Sequence, residues 1–241
     1  IGGTEWSWSG FDLRDAEDGR QRTEGAKAPA FEARKRFAAS NVTEIHQEAV
    51  SVSYTRQGAT KQVTPAPGST TVTIGGTVLP ASELAFQISG QLKQMARDVE
   101  KTFITGKYAK PTDNQTPRKT RGLIEAIETN TATTTHKASE LTEADVVDLI
   151  EKVWKSGGLQ EGETRTLIVN STLKRALTRV FIKEAKYQES SRNVGGVNLK
   201  TIETDFGSLN IMLNRYMPVT KLAVVSLEQL SPVFMEIPDK G

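Results

Sequence analysis

One segment of the sequence limits the fold more than any other. Between Pro80 and Gly106, apolar side chains recur at spacings of three and four residues, which is the repeat of one helix face. Ser82 suits an N-cap and Gly106 suits the position after a helix, so the pattern predicts a helix over residues 83–105. At about 1.5 Å per residue this helix is a rod of roughly 34 Å. Its apolar stripe, called the spine stripe here, consists of Leu84, Ile88, Leu92, Met95, Val99 and Phe103.

A helix with one apolar stripe needs a surface to cover that stripe. We expect the spine stripe to face a sheet of the same chain. The charged side chains of the helix should lie off the stripe, toward solvent or a neighbour, namely Lys93, Arg97, Asp98 and Glu100.

The second half of the chain alternates strand and helix patterns. Residues 142–158 predict a helix, with Thr142 and Asp145 at capping spacing. Residues 171–182 predict another helix directly after a strand at 164–170. Further strands are predicted at 197–204, 208–215 and 220–226. This order predicts a mixed sheet, so the fold class is α+β or mixed α/β.

The stretch "ETDFGSLNIMLNRYMP" at residues 203–218 predicts a hairpin. "DFG" at 205–207 forms the turn, and Gly207 supplies a permissive backbone there. After the turn, Leu209, Ile211 and Leu213 alternate with polar residues and Met212, which predicts a strand laid on the helices of this half. Pro218 is expected to end the strand.

Residues 1–41 differ from the rest of the chain in composition and in hydrophobic pattern. They mix charges, glycines and prolines with isolated aromatic residues, and no period of 2 or 3.6 holds for long. Such a segment is too polar to build its own core, yet it has too many large apolar groups for a free tail. We expect an arm that is ordered by packing on a neighbouring molecule. The candidate contact residues are Trp6, Trp8, Phe31, Arg34, Arg36 and Phe37.

Two shorter segments precede the long helix. Residues 42–55 have the composition of a strand, with clear alternation in "AVSVSY". Residues 64–80 predict turns around a short Thr/Val strand, with Gly75-Gly76 as a second break.

The composition excludes several classes of protein. With 37% hydrophobic and 25% charged residues the chain is ordinary for a globular protein. A net charge of +2 argues against a dedicated duplex-DNA binder, and zero cysteines exclude disulfides and thiolate metal sites. No apolar run approaches the ~20 residues that span a bilayer, so no membrane partner is predicted.

Catalytic and metal-binding patterns are sparse. Ser171 and Lys174 match the S-x-x-K pattern of some serine acyltransferases, but helix capping by Asn170 or Ser171 explains the same residues. Glu44, His46 and Glu48 alternate and could hold a metal, although a solvated strand face needs no metal.

Two other features are a single histidine and a short basic run. His136 lies in a predicted loop with no partner near it in sequence. The basic run at 33–37 could contact nucleic acid or an acidic patch of a neighbour. We predict no cofactor and no enzymatic turnover.

Several stretches in their order along the chain carry a family resemblance. They include "EWSW", "NVTEIHQEAVSVSYT", "ELAFQISGQLKQMARDVEKTFITGK", "TRGLIEAIETN", "LIVNSTLKRALTRV" and "VNLKTIETDFGSLNIMLNRYMP". Together they resemble the major capsid proteins of tailed bacteriophages with the Hong Kong 97 type fold. The family usually continues some tens of residues past the counterpart of "MEIP" to finish the peripheral sheet, and that segment is missing here.

The resemblance implies a division of the chain. Residues 1–10 would be an N-terminal arm, 11–55 an extended loop and strand, and 56–120 a peripheral domain with the spine helix 83–105. Residues 121–228 would form the axial domain, and 229–241 would return to the peripheral domain. Residues 56–80 are longer than the family leads us to expect, which indicates an extra surface hairpin.

The resemblance also implies the function of a capsid subunit. Such a chain assembles with itself, as pentamers and hexamers, into an icosahedral shell around double-stranded DNA. It is assembled in the host cytoplasm and resides in the virion. DNA on the inner face and portal or decoration proteins would be further partners. Two alternatives stay open from sequence: a shell subunit of a protein nanocompartment, and a hydrolase with a dispersed site.

Overall fold

A computed structural model describes residues 2–11, 14, 16–59, 71–74, 77–80, 82–160, 163–184 and 200–236. The strands in these ranges are β1 (Glu5–Phe11), β2 (Arg36–Val42), β3 (Thr71–Ile74), β4 (Thr77–Pro80), β5 (Arg165–Val169), β6 (Thr201–Thr204), β7 (Gly207–Leu213) and β8 (Ala223–Ser226). The helices are α1 (Tyr54–Ala59), α2 (Glu83–Thr105), α3 (Leu123–Ala126), α4 (Glu143–Lys155) and α5 (Ser171–Thr178). A π-helical turn, Arg179–Glu184, extends α5, and a 3-10 turn, Leu227–Gln229, follows β8.

The second half of the chain folds around a four-stranded sheet with the order β6-β7-β5-β8. Strands β5 and β7 are parallel, whereas the other two pairings are antiparallel, so the predicted mixed sheet is confirmed. One apolar cluster joins the sheet to α4 and α5, and its fully buried members include Ile150, Leu167, Val169, Leu177, Val180 and Leu209. Each such side chain contributes roughly 1.5–3 kcal/mol relative to exposure to water, so this cluster is the main folding core.

Capping residues fix where the two long helices of this half begin. Thr142 accepts a hydrogen bond from the Asp145 amide, and the Asp145 carboxylate accepts one from the Thr142 amide at 2.9 Å. The predicted capping box is therefore confirmed, although α4 ends at Lys155, before the predicted end. The Asn170 side chain accepts from the Leu173 amide at 2.8 Å and is the cap of α5.

The hairpin at 203–218 has the predicted turn. Asp205 and Phe206 form it, and Gly207 follows with φ of 108°, in the region that favours glycine. The Arg165 guanidinium donates to the Phe206 carbonyl at 3.1 Å and to the Gln160 carbonyl at 3.1 Å. This arginine therefore ties the turn to the start of the central strand β5.

The end of β7 differs from the prediction. The strand stops at Leu213, well before Pro218, and the Leu213 side chain is exposed rather than packed on the helices. The physical reason is Asn214, which is buried and bends the chain by accepting from the Tyr216 amide at 2.8 Å. Its side-chain amide also donates to Glu100 of α2 at 2.8 Å.

The first half of the chain consists of hairpins and one long helix. Strands β1 and β2 pair antiparallel, with Glu5 opposite Val42 and Phe11 opposite Arg36, so the predicted arm is one strand of a hairpin. Strands β3 and β4 form the extra hairpin that the sequence indicates, although the predicted break at 75–76 lies outside the described residues.

The predicted strand at 42–55 is wrong. Only Val42 belongs to a strand, residues 43–53 have no regular structure, and α1 begins at Tyr54. A strand needs a partner for its backbone groups, and the described part of the chain pairs no strand with this segment.

The spine helix occupies its predicted bounds, Glu83–Thr105. Gly106 follows it with φ of −55°, so this glycine does not stop the helix by a left-handed turn. A Cβ on Gly106 would lie 2.5 Å from the Thr102 carbonyl oxygen and 2.6 Å from that of Thr120. Close backbone packing, rather than backbone conformation, explains the glycine.

Glycine 207 provides the first testable prediction. Gly207→Ala should lower the free energy of unfolding by about 1–3 kcal/mol, because alanine is strained at this φ and its Cβ would displace the Arg165 guanidinium. Urea unfolding of the purified subunit measures the change. Gly90→Ala is the matched control, since it fills open space in the middle of α2 and should stabilise by about 0.5–1 kcal/mol. Equal stability of the two variants would contradict the assigned turn.

Candidate assembly interface

The β1–β2 hairpin carries an aromatic face. Trp6 and Trp8 lie on the same side of β1 and stack with ring centroids 4.9 Å apart. Gly10 continues that side, and the ring of its cross-strand partner Phe37 occupies the space where a Cβ would sit. The three aromatic side chains remain 37%, 40% and 49% exposed. We call Trp6, Trp8 and Phe37 the hairpin face; it is apolar surface that stays partly exposed in the described part of the chain.

The other predicted contact residues lie toward the far end of the hairpin. Phe31 is 91% exposed. Arg34 lies 3.4 Å from the Glu32 carboxylate, which also accepts from Arg20 at 2.8 Å, and Arg36 begins β2 opposite Phe11. The Arg20 guanidinium holds the pKa of Glu32 below its usual range. Charge pairs therefore organise this end of the hairpin, and Phe31 is an isolated apolar group on it.

Most of the spine stripe is also exposed within the described part of the chain, which corrects the expectation that a sheet of the same chain covers it. Leu84, Ile88, Leu92 and Phe103 are all exposed, Leu92 by 59%. In the described part of the chain, the main contacts of α2 are with α1, α3 and β4 near its two ends. The middle of the stripe, around Ile88 and Leu92, is therefore exposed apolar surface on one face of α2.

A compact joint holds the hairpin, the spine helix and the sheet together. The backbone of Gly122 donates to the Gly106 carbonyl at 3.1 Å, just past the end of α2. The Asn41 side chain at the end of β2 accepts from the Arg121 amide at 2.8 Å and donates to the Arg121 carbonyl at 3.2 Å. Lys110 pairs with Glu5 at 2.6 Å. These bonds fix the base of the hairpin relative to α2.

An apolar cluster closes the joint on the side of the sheet. Ile104 of α2 is buried with Ile168, Met217 and Ala223. The spine helix is thus anchored at its C-terminal end, while its stripe projects away from the core. Both exposed apolar surfaces, the hairpin face and the spine stripe, are therefore held by ordered structure.

The serine–lysine pair does not form a nucleophile with its base. Ser171 is exposed at the first position of α5, and no hydrogen bond links it to Lys174 among the described residues. Partial burial lowers the pKa of Lys174. The geometry supports capping by Asn170 instead.

The proposed metal ligands have other roles. The Glu44 carboxylate accepts from the Thr120 amide at 3.0 Å, and His46 lies 3.8 Å from Glu44. Among the described residues, no group of three His, Asp or Glu side chains could hold a metal ion. These same residues likewise form no helix that is long and apolar enough to cross a membrane.

His136 has a partner, contrary to the expectation. Its Nδ1 lies 2.8 Å from the Asp145 carboxylate at the start of α4. Hydrogen bonds from the Thr142 hydroxyl and amide hold the pKa of Asp145 well below its usual range. The pair attaches the loop before α4 to the helix, which is a structural role.

The sequence did not predict that Trp6, Trp8 and Phe37 form one face of a hairpin. It gave no prediction of the joint. The alternation of tryptophan and serine in "EWSWS" is the signal that could have revealed β1. For the joint, the available signal was the pair of glycines Gly106 and Gly122. Only the fold shows that their backbones are in contact.

The geometry defines a class of protein. One half has a closed core, and the other presents two rigid, uncovered apolar surfaces, which is the organisation of a subunit built for association with other protein surfaces. A sequence model of the family described as SU10 major capsid protein matches residues 1–240. The chain therefore belongs to the SU10 major capsid protein family. No curated protein is similar enough to count as a significant match.

Membership in this family states the role of the chain. It is a phage major capsid protein, which assembles with other copies into the shell of the virion that encloses the genome. The predicted family of phage major capsid proteins is confirmed.

The role of Ser171 can be tested through stability. Ser171→Ala should change the free energy of unfolding by less than about 0.5 kcal/mol, because its side chain is exposed. Asn170→Ala should cost about 1–2 kcal/mol, because it removes a buried cap. Thermal unfolding of both variants checks the order. Loss of a hydrolytic activity on Ser171→Ala would contradict the capping role.

The exposure of the spine stripe gives a second test. Leu92→Ala should lower the stability of the free subunit by less than about 1 kcal/mol, since this side chain is mostly in water. Its effect should instead fall on the yield of shells. Leu177→Ala, in the folding core, is the control and should cost ~2–5 kcal/mol. Similar destabilisation by the two variants, measured by urea unfolding, would show that the stripe is covered within one subunit.

Proposed function

We propose that this chain builds an icosahedral shell of the Hong Kong 97 type around double-stranded DNA. The observation that carries the proposal is the pairing of a rigid hairpin face with an uncovered spine stripe in a chain of this family. The hairpin would serve as the extended loop that reaches a neighbour, and the long helix α2 would serve as the spine of the peripheral domain.

The proposed division of the chain assigns each half a place in the shell. The four-stranded sheet with α4 and α5 would belong to the axial domain, residues 121–228, which would gather around five-fold and six-fold centres as pentamers and hexamers. The segment 56–120 with α2 would be the peripheral domain. Strand β1 crosses the expected boundary at residue 10, so arm and extended loop form one hairpin in this proposal.

The proposed contact residues are those that a neighbour would cover. Trp6, Trp8 and Phe37 offer apolar area, and Phe31 offers a single anchor beyond them. Tryptophan and arginine dominate the binding energy of many interfaces, and Arg34 and Arg36 stand at the same end of the hairpin as Phe31. A shell one subunit thick would be held together by this overlap between neighbours.

The further roles are proposals of the same kind. Assembly would take place in the host cytoplasm, with the packaged DNA inside the shell. A portal and decoration proteins would be additional protein partners. The shell would work without turnover, since Ser171 fits the role of a surface residue beside a cap.

Expression of the chain tests the proposal directly. Size exclusion should show a megadalton assembly, and negative-stain images should show closed shells. The nucleic acid content of particles from infected cells separates the two shell functions: genome-length DNA indicates a virus, whereas an enclosed enzyme indicates a nanocompartment. A chain that stays monomeric at high concentration would refute a shell function of either kind.

Variants of the hairpin face test its part in assembly. Trp8→Ala should change subunit stability by less than about 1.5 kcal/mol, since β1 and β2 lie apart from the folding core. Shell yield should fall severalfold, because a buried interface tryptophan can contribute 2 kcal/mol or more. Light scattering measures assembly, with Tyr54→Ala, an exposed aromatic outside the hairpin, as the control. Equal shell yields for the two variants would remove the hairpin face from the interface.

A further inference from the structure

A row of cations runs along the back of the spine helix. Lys93, Arg97 and Lys101 are spaced four residues apart, so they stand about 6 Å from one another along the helix axis. With 3.6 residues per turn, Arg97 and Lys101 lie on the side opposite to the spine stripe, and Lys93 lies at the edge of the surface around Leu92. All three are exposed. We call these three residues the cation row.

No carboxylate neutralises the cation row within the described part of the chain. None of its members takes part in an ion pair there, although ten such pairs form elsewhere. The acidic residues of the same stretch have other partners. Asp98 accepts from Gln94 at 3.3 Å, and Glu100 accepts from Asn214 at 2.8 Å. The row therefore presents free positive charge on a rigid support.

The position of the cation row on α2 indicates what it contacts. If neighbouring subunits cover the spine stripe, the opposite side of α2 is turned away from them, toward one surface of the shell. The enclosed genome is a polyanion that carries one charge per about 1.7 Å of duplex axis. A straight row of three cations meets phosphates in any register of such a duplex, which suits contact without sequence preference.

We propose that the cation row binds the phosphate backbone of packaged duplex DNA. This inference rests on the proposed shell function and names the surface that faces the genome. The contact is weak in one subunit, since non-specific binding of this kind has Kd of about 10⁻⁴–10⁻⁶ M at physiological salt. Repetition over many subunits of a shell makes it effective.

The competing partner is an acidic surface of a second copy. The start of α4 offers one, with Glu140, Glu143 and Asp148 exposed. A contact of that kind would hold shells together rather than hold DNA. The two partners are separated by measuring DNA binding and shell yield on the same variants.

The test uses the full chain and a fluorescent random-sequence duplex of about 30 base pairs. Binding is measured by anisotropy between 25 and 200 mM salt, a range of about one decade in which counterion release is readily resolved. The triple variant K93Q/R97Q/K101Q removes the charge and keeps good helix-forming residues. The matched control K137Q/K200Q/K221Q removes three exposed charges elsewhere.

The proposal expects a specific loss. The triple variant should bind at least about tenfold more weakly at 50 mM salt, and its log–log salt slope should fall by about 2–3, because each phosphate contact contributes about 0.9. The control should change much less. Equal loss in both variants, or no loss in the triple variant, would overturn the proposal.

Shell yield distinguishes contact with a second copy from contact with DNA. It also shows whether the proposed shell function itself fails. Normal DNA binding with lost shells in the triple variant, and recovery of shells when the charge-reversed row K93E/R97E/K101E is combined with E140K/E143K/D148K, would assign the row to a second copy and overturn DNA contact. Absence of shells from the unmodified chain would instead refute the proposed shell function. Thermal unfolding of each variant confirms that it is folded.

Discussion

The fold depends on a close backbone contact between two glycines. Gly106 ends the spine helix, and Gly122 begins the segment that enters the sheet domain. A Cβ on Gly122 would lie 2.5 Å from the Gly106 nitrogen and 2.8 Å from the Thr102 carbonyl oxygen, so no side chain fits there. Because the backbones touch, Ile104 reaches the sheet and Asn41 reaches Arg121. The direction of α2 and the base of the hairpin therefore follow from this single crossing.

The sequence predicts those parts of the fold whose cause is local. The spacing of Leu84 to Phe103 is enough for α2, and the pair Thr142 and Asp145 is enough for the start of α4. Pairing between distant segments is not local. Strand β1 alternates well but finds its partner across a long connection, whereas "AVSVSY" alternates equally well and has no partner in the described chain. Period alone does not separate these two cases.

The candidate surfaces were predictable in kind but not in arrangement. An excess of aromatic residues in a polar segment indicates contacts outside the chain, and Trp6 and Trp8 are exposed as that argument requires. The side of the spine helix that meets its own domain could not be read from the stripe. An apolar stripe shows that a helix face needs cover, but its pattern is the same whether the cover comes from the same chain or another. Only the contacts of α2 decide, and those with the described residues leave most of the stripe exposed.

The uncovered stripe and hairpin face have a consequence for the time between synthesis and assembly. A newly made subunit exposes both surfaces to water, and its net charge of +2 provides little electrostatic repulsion between copies. Subunits that collide at random therefore associate through these surfaces before they reach the correct relative orientation. The free subunit must therefore be incorporated into a shell faster than it misassembles. This requires either rapid nucleation of ordered growth or a protein that occupies these surfaces first. The same two surfaces thus set a kinetic limit on how fast subunits can safely accumulate.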